Sequence, residues 1–199
     1  MILERLRIEN LCFFERGPVD LRVEGSECIG ITGPSGIGKS LLLRAVADID
    51  PHTGFVFLNG IEAGHIKAPE WRKMVGLMPA ESSWWYETVG EHFDRLDQGS
   101  LDGLGFEEDV KGWEVNRMSS GERQRLALLR LLANQAAVLL LDEPTANLDS
   151  KNVDLVEQYL SDYGRKHDSS LIWVSHDMDQ LKRVADRCYY MEHSSLREI

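Results

Sequence analysis

The chain has 199 residues, 43% of them hydrophobic and 28% charged, which suits one domain with a sizeable core and argues against disorder. A formal net charge of -11 excludes a nucleic-acid surface as its main business, because phosphate backbones are bound by clustered Lys and Arg. Cys12, Cys28 and Cys188 are odd in number and far apart, so free thiols in a reducing cytoplasm are expected rather than a disulfide or a zinc site.

No apolar run approaches the roughly twenty residues of a spanning helix, and the charged stretch "MILERLRIENL" does not read as a signal peptide. The first strong element is "ECIGITG" (27–33), a short apolar run bounded by glycine that predicts a buried strand. "SLLLRAVADI" (40–49) follows with helical composition. "GFVFLNG" (54–60) and "KMVGLMP" (73–79) read as strands, the first ending in an Asn-Gly turn. From Glu81 to about Val115 the chain is rich in Trp, Gly and acidic residues and reads as an insertion. "AAVLLLDEP" (136–144) is a buried strand running into acid, and "SLIWVSHD" (170–177) repeats that design with a histidine at its end. Between them "SKNVDLVEQYLSDYGRKH" (150–167) predicts a helix capped by Ser150, with Val153, Leu155, Val156 and Leu160 apolar. Apolar strands alternating with helices indicate an α/β sheet covered on both faces, which binds ligands at the carboxyl ends of its strands.

Three strand ends then carry chemistry. "GPSGIGKS" (33–40) is a full phosphate-loop pattern in strand–helix context. Gly33, Pro34, Ser35, Gly36, Ile37 and Gly38 form a turn whose N–H groups face phosphate oxygens, Lys39 reaches the β- and γ-phosphates, and Ser40 is a ligand for Mg²⁺. Asp142 ends a strand where a magnesium-organising carboxylate belongs, and Glu143 beside it is placed to activate water. His176 is a candidate hydrogen-bond donor to the γ-phosphate. A second anion site is suggested by "RMSSGERQRLALLR" (117–130), where two serines and a glycine open a helix whose Leu126, Leu129 and Leu132 also face a core.

Taken together and in this order, these stretches resemble an ATP-binding cassette (ABC) ATPase, the nucleotide-binding subunit of ABC transporters. Met118-Ser119-Ser120-Gly121-Glu122 stands where that family has its LSGGQ signature, Asp142-Glu143 ends the Walker B strand, Ala146-Asn147-Leu148-Asp149 resembles the D-loop, and His176 resembles the switch histidine. The resemblance implies a P-loop NTPase sheet covered by helices, with a small N-terminal antiparallel β subdomain and a short inserted helical subdomain at about 81–133, all within one domain, 1–199. It further implies ATP and Mg²⁺, a second copy paired head to tail so that Ser119, Ser120, Gly121 and Glu122 close over the partner's ATP, an integral-membrane permease subunit as a separate chain, and a cytoplasmic place on the inner face of the cell membrane. No nucleic-acid partner is implied. A soluble ABC ATPase serving iron–sulfur assembly or nucleic-acid remodelling is the competing reading, and the chain lacks the heptads, tandem cassette and basic run that the nucleic-acid type would show.

Two positions depart from the family or stay open. Where a glutamine normally follows the 73–79 strand, the chain has Ala80 and then Glu81. An adenine-stacking aromatic is expected in "CFFERG", with Phe14 preferred over Phe13. Trp84, Trp85 and Tyr86 cannot all enter one core from a regular element, so at least one is expected near the surface, in the neighbourhood that docks the permease in this family.

Overall fold

The computed structural model describes residues 4–106, 109–192 and 195–199. It opens with a hairpin, β1 (Glu4–Phe13) and β2 (Arg16–Glu24), closed by Phe14 and Glu15, both with positive φ (44° and 62°), as a tight hairpin turn requires. In β2 the pleat sends Val19, Leu21 and Val23 inward while Asp20, Arg22 and Glu24 face water. β3 (Cys28–Thr32) leaves this hairpin, ends at the glycine loop, and is followed by α1 (Lys39–Val46). β4 (Thr53–Leu58) and β5 (Ile61–Glu62) then rejoin the first sheet through an Asn59-Gly60 turn with φ 50° and 79°, the turn expected from the sequence. The first sheet is antiparallel, in the order β2-β1-β4-β5.

The second sheet holds the site. α2 (Ala68–Met74) leads into β6 (Val75–Met78), so Lys73 and Met74 close a helix rather than opening the strand expected at 73. That helix is short but anchored: Trp71 is fully buried and its Nε1 donates to the Val46 carbonyl at the end of α1 (3.0 Å). β7 (Val138–Asp142), α5 (Ser150–His167), β8 (Ser170–Val174), α6 (Met178–Val184), β9 (Arg187–Glu192) and β10 (Ser195–Glu198) complete the chain, and the sheet runs β10-β9-β3-β8-β7-β6, parallel except for β10.

Both faces of this sheet are covered, which is why its strands read as unbroken apolar runs. Alternate residues enter different cores. Val138, Leu140, Ile172 and Val174 pack toward α1 and the first sheet, whereas Leu139, Leu141, Leu171 and Trp173 pack toward α4 (Ser120–Leu132) and α5. The second core continues into the inserted helical subdomain, where α3 (Gln98–Gly103) contributes Leu101 and the segments around it and around two short 3₁₀ turns contribute Val89, Leu104, Phe106 and Val110. The insertion closes on itself through Val89 N to Trp113 O (3.0 Å) and Val115 N to Glu87 O (2.9 Å). Far from the glycine loop, Arg5 at the start of β1 donates to the Asn59 side chain (3.1 Å), to the Asp168 carbonyl (3.1 Å) and to the Asp168 carboxylate, tying the first sheet to the end of α5.

The helix expected at 150–167 has those bounds, but its cap is Asp149, whose carboxylate accepts from Asn152 N (3.0 Å), and not Ser150. Ser150 is already inside the first turn.

Candidate functional site

Strand ends and loops gather four sequence segments at the carboxyl edge of the parallel sheet. Gly33 leaves β3 with φ 146°, and a side chain there would meet the Met191 carbonyl at 2.7 Å, so the loop starts against β9 with no room for a Cβ. Pro34, Ser35 and Gly36 are exposed, Ile37 is half-buried, and Gly38 caps α1. Lys39 lies buried in the fold of this loop, its Nζ donating to the carbonyls of Gly33 (2.8 Å) and Pro34 (3.0 Å), while Ser40 next to it is exposed. Burial lowers the pKa of the Lys39 ammonium, and the carboxylates of Glu143 and Asp142 pull it back up. Lysine and the two carboxylates therefore share one electrostatic environment.

Asp142 is buried at the last position of β7. Glu143 follows in a left-handed conformation (φ 50°), pinned by its N–H to the Val174 carbonyl (3.1 Å). Its Oε1 is buried without a hydrogen-bond donor, yet His176 Nε2 stands 3.2 Å away, within ion-pair reach. Burial raises the Glu143 pKa, with Asp142 adding to it, while His176 and Lys39 act in the opposite direction. A carboxylate held as a poor acid, with one oxygen lacking a donor among the described residues, is an acceptor poised for a proton.

The signature turn is built by a capping box. Ser119 Oγ accepts from Glu122 N (3.2 Å), and the Glu122 carboxylate accepts from Ser119 N (2.7 Å) and Ser119 Oγ (2.7 Å), which holds the Glu122 pKa down. Ser119 and Ser120 are exposed, and a Cβ on Gly121 would stand 3.1 Å from the Asn147 carbonyl, so the turn lies directly against the D-loop residues. Asp149 closes that loop as the cap of α5.

The structure also brings in residues that the sequence reading does not name. Gln124, buried on α4, donates to the Glu143 carbonyl (2.9 Å) and accepts from Asn147 Nδ2 (3.1 Å), linking the signature helix to the strand end. Arg16, at the start of β2, donates to carbonyls of the glycine loop. Neither has a local pattern to betray it, because each bonds main-chain oxygens of segments distant in sequence. Phe13 is buried in the core, whereas Phe14 is 52% exposed at the hairpin tip, which separates the two candidates for a base-stacking platform. Among the adjacent aromatics, Trp85 and Tyr86 are exposed and Trp84 is half-buried. All three rings surround His92, whose Nε2 accepts from Trp85 N (3.0 Å) and Tyr86 N (3.1 Å). Arg130 packs over Trp84 (4.7 Å) and Trp85 (4.8 Å) beside a 260 Å³ groove that Arg72, Met78, Pro79 and Ala127 help to line. Ala80 is half-buried and offers only a methyl group.

The chain is similar to known proteins in sequence and in fold. Residues 17–146 match the model of the ABC transporter family. The chain is 31% identical over 190 residues to the tungstate uptake system ATP-binding protein TupC of Peptoclostridium acidaminophilum, covering 89% of this chain and 87% of that protein. It is 30% identical over 187 residues to the aliphatic sulfonates import ATP-binding protein SsuB 2 of Xanthomonas axonopodis pv. citri, covering 89% of this chain but 62% of that protein. Among solved structures, an ATP-binding cassette captured as a post-hydrolysis dimer with ADP and Pi superposes with a TM-score of 0.83 at 25% identity, over 98% of this chain and 97% of the other.

Proposed function

The chain belongs to the ABC transporter family, as an ATP-binding and ATP-hydrolysing subunit, and from that premise we propose that two copies pair head to tail around ATP and drive a separate membrane-embedded permease. The observation that carries this reading is the signature turn: exposed Ser119 and Ser120 open α4, an anion-binding helix end, and one chain has no use for it beside its own phosphate loop. In the pair each turn meets the nucleotide held by the other copy. The solved ADP- and Pi-bound cassette dimer supports such a pairing.

In this reading residues 33–40 hold the phosphates, with Lys39 leaving its loop carbonyls for the β- and γ-oxygens, and Phe14 stacks on the base. Glu143 takes the proton of the attacking water at Oε1, and His176, 3.2 Å away, stabilises the carboxylate and faces the γ-phosphate. Ser119, Ser120, Gly121 and Glu122 act in trans, with Asp149 at the seam between the copies. The Ser40 hydroxyl and the Asp142 carboxylate are hard oxygen donors, one exposed and one at a strand end, and suit Mg²⁺, which binds through few protein ligands together with phosphate oxygens. When bound, the ion neutralises phosphate charge.

The groove beside Arg130, Trp85 and Tyr86 is the surface proposed to receive the permease, since exposed aromatics beside a cationic side chain make good anchors. Among the described residues no helix is long and apolar enough to cross a membrane. The membrane-embedded part of the machine is proposed to be that partner, with this subunit on the inner face. The names of the relatives, both uptake-system ATP-binding proteins, favour this over a soluble assembly role.

Replacing Glu143 with Gln tests the reading. The variant keeps the phosphate loop but loses the base, so turnover falls by about 10²-fold or more and an ATP-bound dimer accumulates on gel filtration. A variant that stays monomeric with ATP and Mg²⁺ defeats the head-to-tail mechanism.

A further inference from the structure

Among the described residues Arg16 makes three hydrogen bonds, and all of them go to main-chain carbonyls around the proposed nucleotide. Its Nε donates to Ile37 O (2.7 Å), Nη2 to Gly36 O (3.3 Å) and Nη1 to Phe14 O (3.1 Å). The side chain also lies directly over Gly38. A Cβ there would stand 2.6 Å from Arg16 Cδ, and Gly38 itself has φ 114°, so the backbone conformation calls for glycine and any larger residue would also push the Arg16 side chain aside.

The geometry points to Arg16 as a positioning residue for nucleotide binding: it aims a phosphate-loop N–H and ties the loop to the base platform at Phe14. The inference rests on the reading of residues 33–40 as the ATP loop and adds a part that the reading does not contain. The reason is the planarity of the peptide. In a trans peptide the carbonyl oxygen and the next N–H point to opposite sides, so holding one fixes the other. Ile37 N–H is committed to Pro34 O (3.3 Å). With the Ile37 carbonyl drawn to the guanidinium on one side, Gly38 N–H is turned to the other, into the phosphate cradle. Only a planar fork with several donors can hold two successive carbonyls and a third across the hairpin, and a lysine ammonium has no such geometry. The bond to Phe14 O means that the hairpin tip and the loop move together, so base and phosphates meet a surface set in advance.

Binding of ATP and of inorganic tripolyphosphate, which meets the loop but has no base, separates the two halves of this role. In Arg16→Ala the Kd for tripolyphosphate rises about tenfold, the loss of one well-aimed donor to a charged oxygen, and the Kd for ATP rises further because the Phe14 hairpin is released as well. In Arg16→Lys, which keeps the charge and is the milder change to the fold, tripolyphosphate still weakens severalfold, and the KM for ATP climbs more than kcat falls. Tripolyphosphate affinity unchanged in Arg16→Ala, or Arg16→Lys indistinguishable from the native protein, overturns the inference. Equal losses for the two ligands strike out the hairpin half alone. A native protein that binds neither ligand defeats the ATP reading itself, a different result from any of these.

Discussion

The glycine loop at 33–40 and the signature turn at 119–122 are both main-chain cradles at a helix start, yet the chain treats them in opposite ways. The loop is finished by its own polypeptide: Lys39 is buried and tied to two loop carbonyls, Gly33 is wedged against Met191, and Arg16 holds the far side. The two serines of the turn are exposed, and among the described residues the Ser119 hydroxyl is answered only by Glu122, three residues on in the same turn, through its carboxylate and its N–H. A site completed within one molecule has its polar groups aimed by tertiary contacts. In the proposed pair, the turn that meets the other copy satisfies its polar groups locally and stays at the surface.

The sharpest way to break this contrast is to damage each cradle in turn. Lys39→Ala should abolish ATP binding by the isolated chain and lower turnover by about 10²-fold or more, at every protein concentration. Ser119→Ala should instead leave ATP affinity of the dilute chain near native and lower turnover by about tenfold or more, an effect that appears only where copies pair. If dilute Ser119→Ala loses ATP affinity as severely as Lys39→Ala, the turn serves its own chain and the contrast fails.

A weaker perturbation asks whether the two regions communicate. Gln124 joins the signature helix to the end of β7, bonding the carbonyl of Glu143, whose carboxylate shares the electrostatic environment of Lys39. Gln124→Leu keeps the volume and loses the bonds, so kcat should drop by about tenfold, the order of one broken buried hydrogen bond, with the ATP Kd little changed in equilibrium titration. An unaltered kcat would mean that the helix merely passes by.

The pH profile refines the picture of the strand end. Burial raises the Glu143 pKa, so its proton is retained to a higher pH than on an ordinary glutamate, and the basic form is lost as pH falls through that raised value. His176 works against the shift, and removing it in His176→Ala should move the acid limb of kcat upward in pH; a limb that stays in place would free Glu143 from that neighbour. The smallest effect belongs to the cap itself. Ser119→Ala also removes the acceptor for Glu122 N and should cost about 1 kcal/mol, read as a fall in Tm of a few degrees.

How much of this the sequence discloses follows from the same contrast. Residues 33–40, 119–122 and 142–143 are contiguous, and each sits at the end of a strand or the start of a helix, so composition and spacing reveal them. The doubly covered sheet is equally legible, because β7 and β8 are apolar at nearly every position. α2 escapes, since its seven residues are too few for a helical period to register and Trp71 is its one fully buried side chain. The cap of α5 is misassigned by one residue because Asp149 and Ser150 are both good capping types, and only the bond to Asn152 decides between them. Arg16 and Gln124 escape for a different reason. Arg16 acts on Ile37, 21 residues on, and Gln124 on Glu143, 19 residues on, and a main-chain oxygen as partner leaves no mark on the residue type that carries it.

The bonds of Arg5 to Asp168 and Asn59 at one end of β1 acquire a mechanical meaning beside those of Arg16 at the other. The ten residues of β1 make a beam of roughly 30 Å, held at its start by the Arg5 guanidinium to the floor of the parallel sheet, while Arg16 at the start of β2 ties the hairpin tip beyond its other end to the nucleotide rim. Such a beam cannot swing freely about either end. With one tie at the floor and one at the rim, the antiparallel sheet is part of the frame that holds the glycine loop in place.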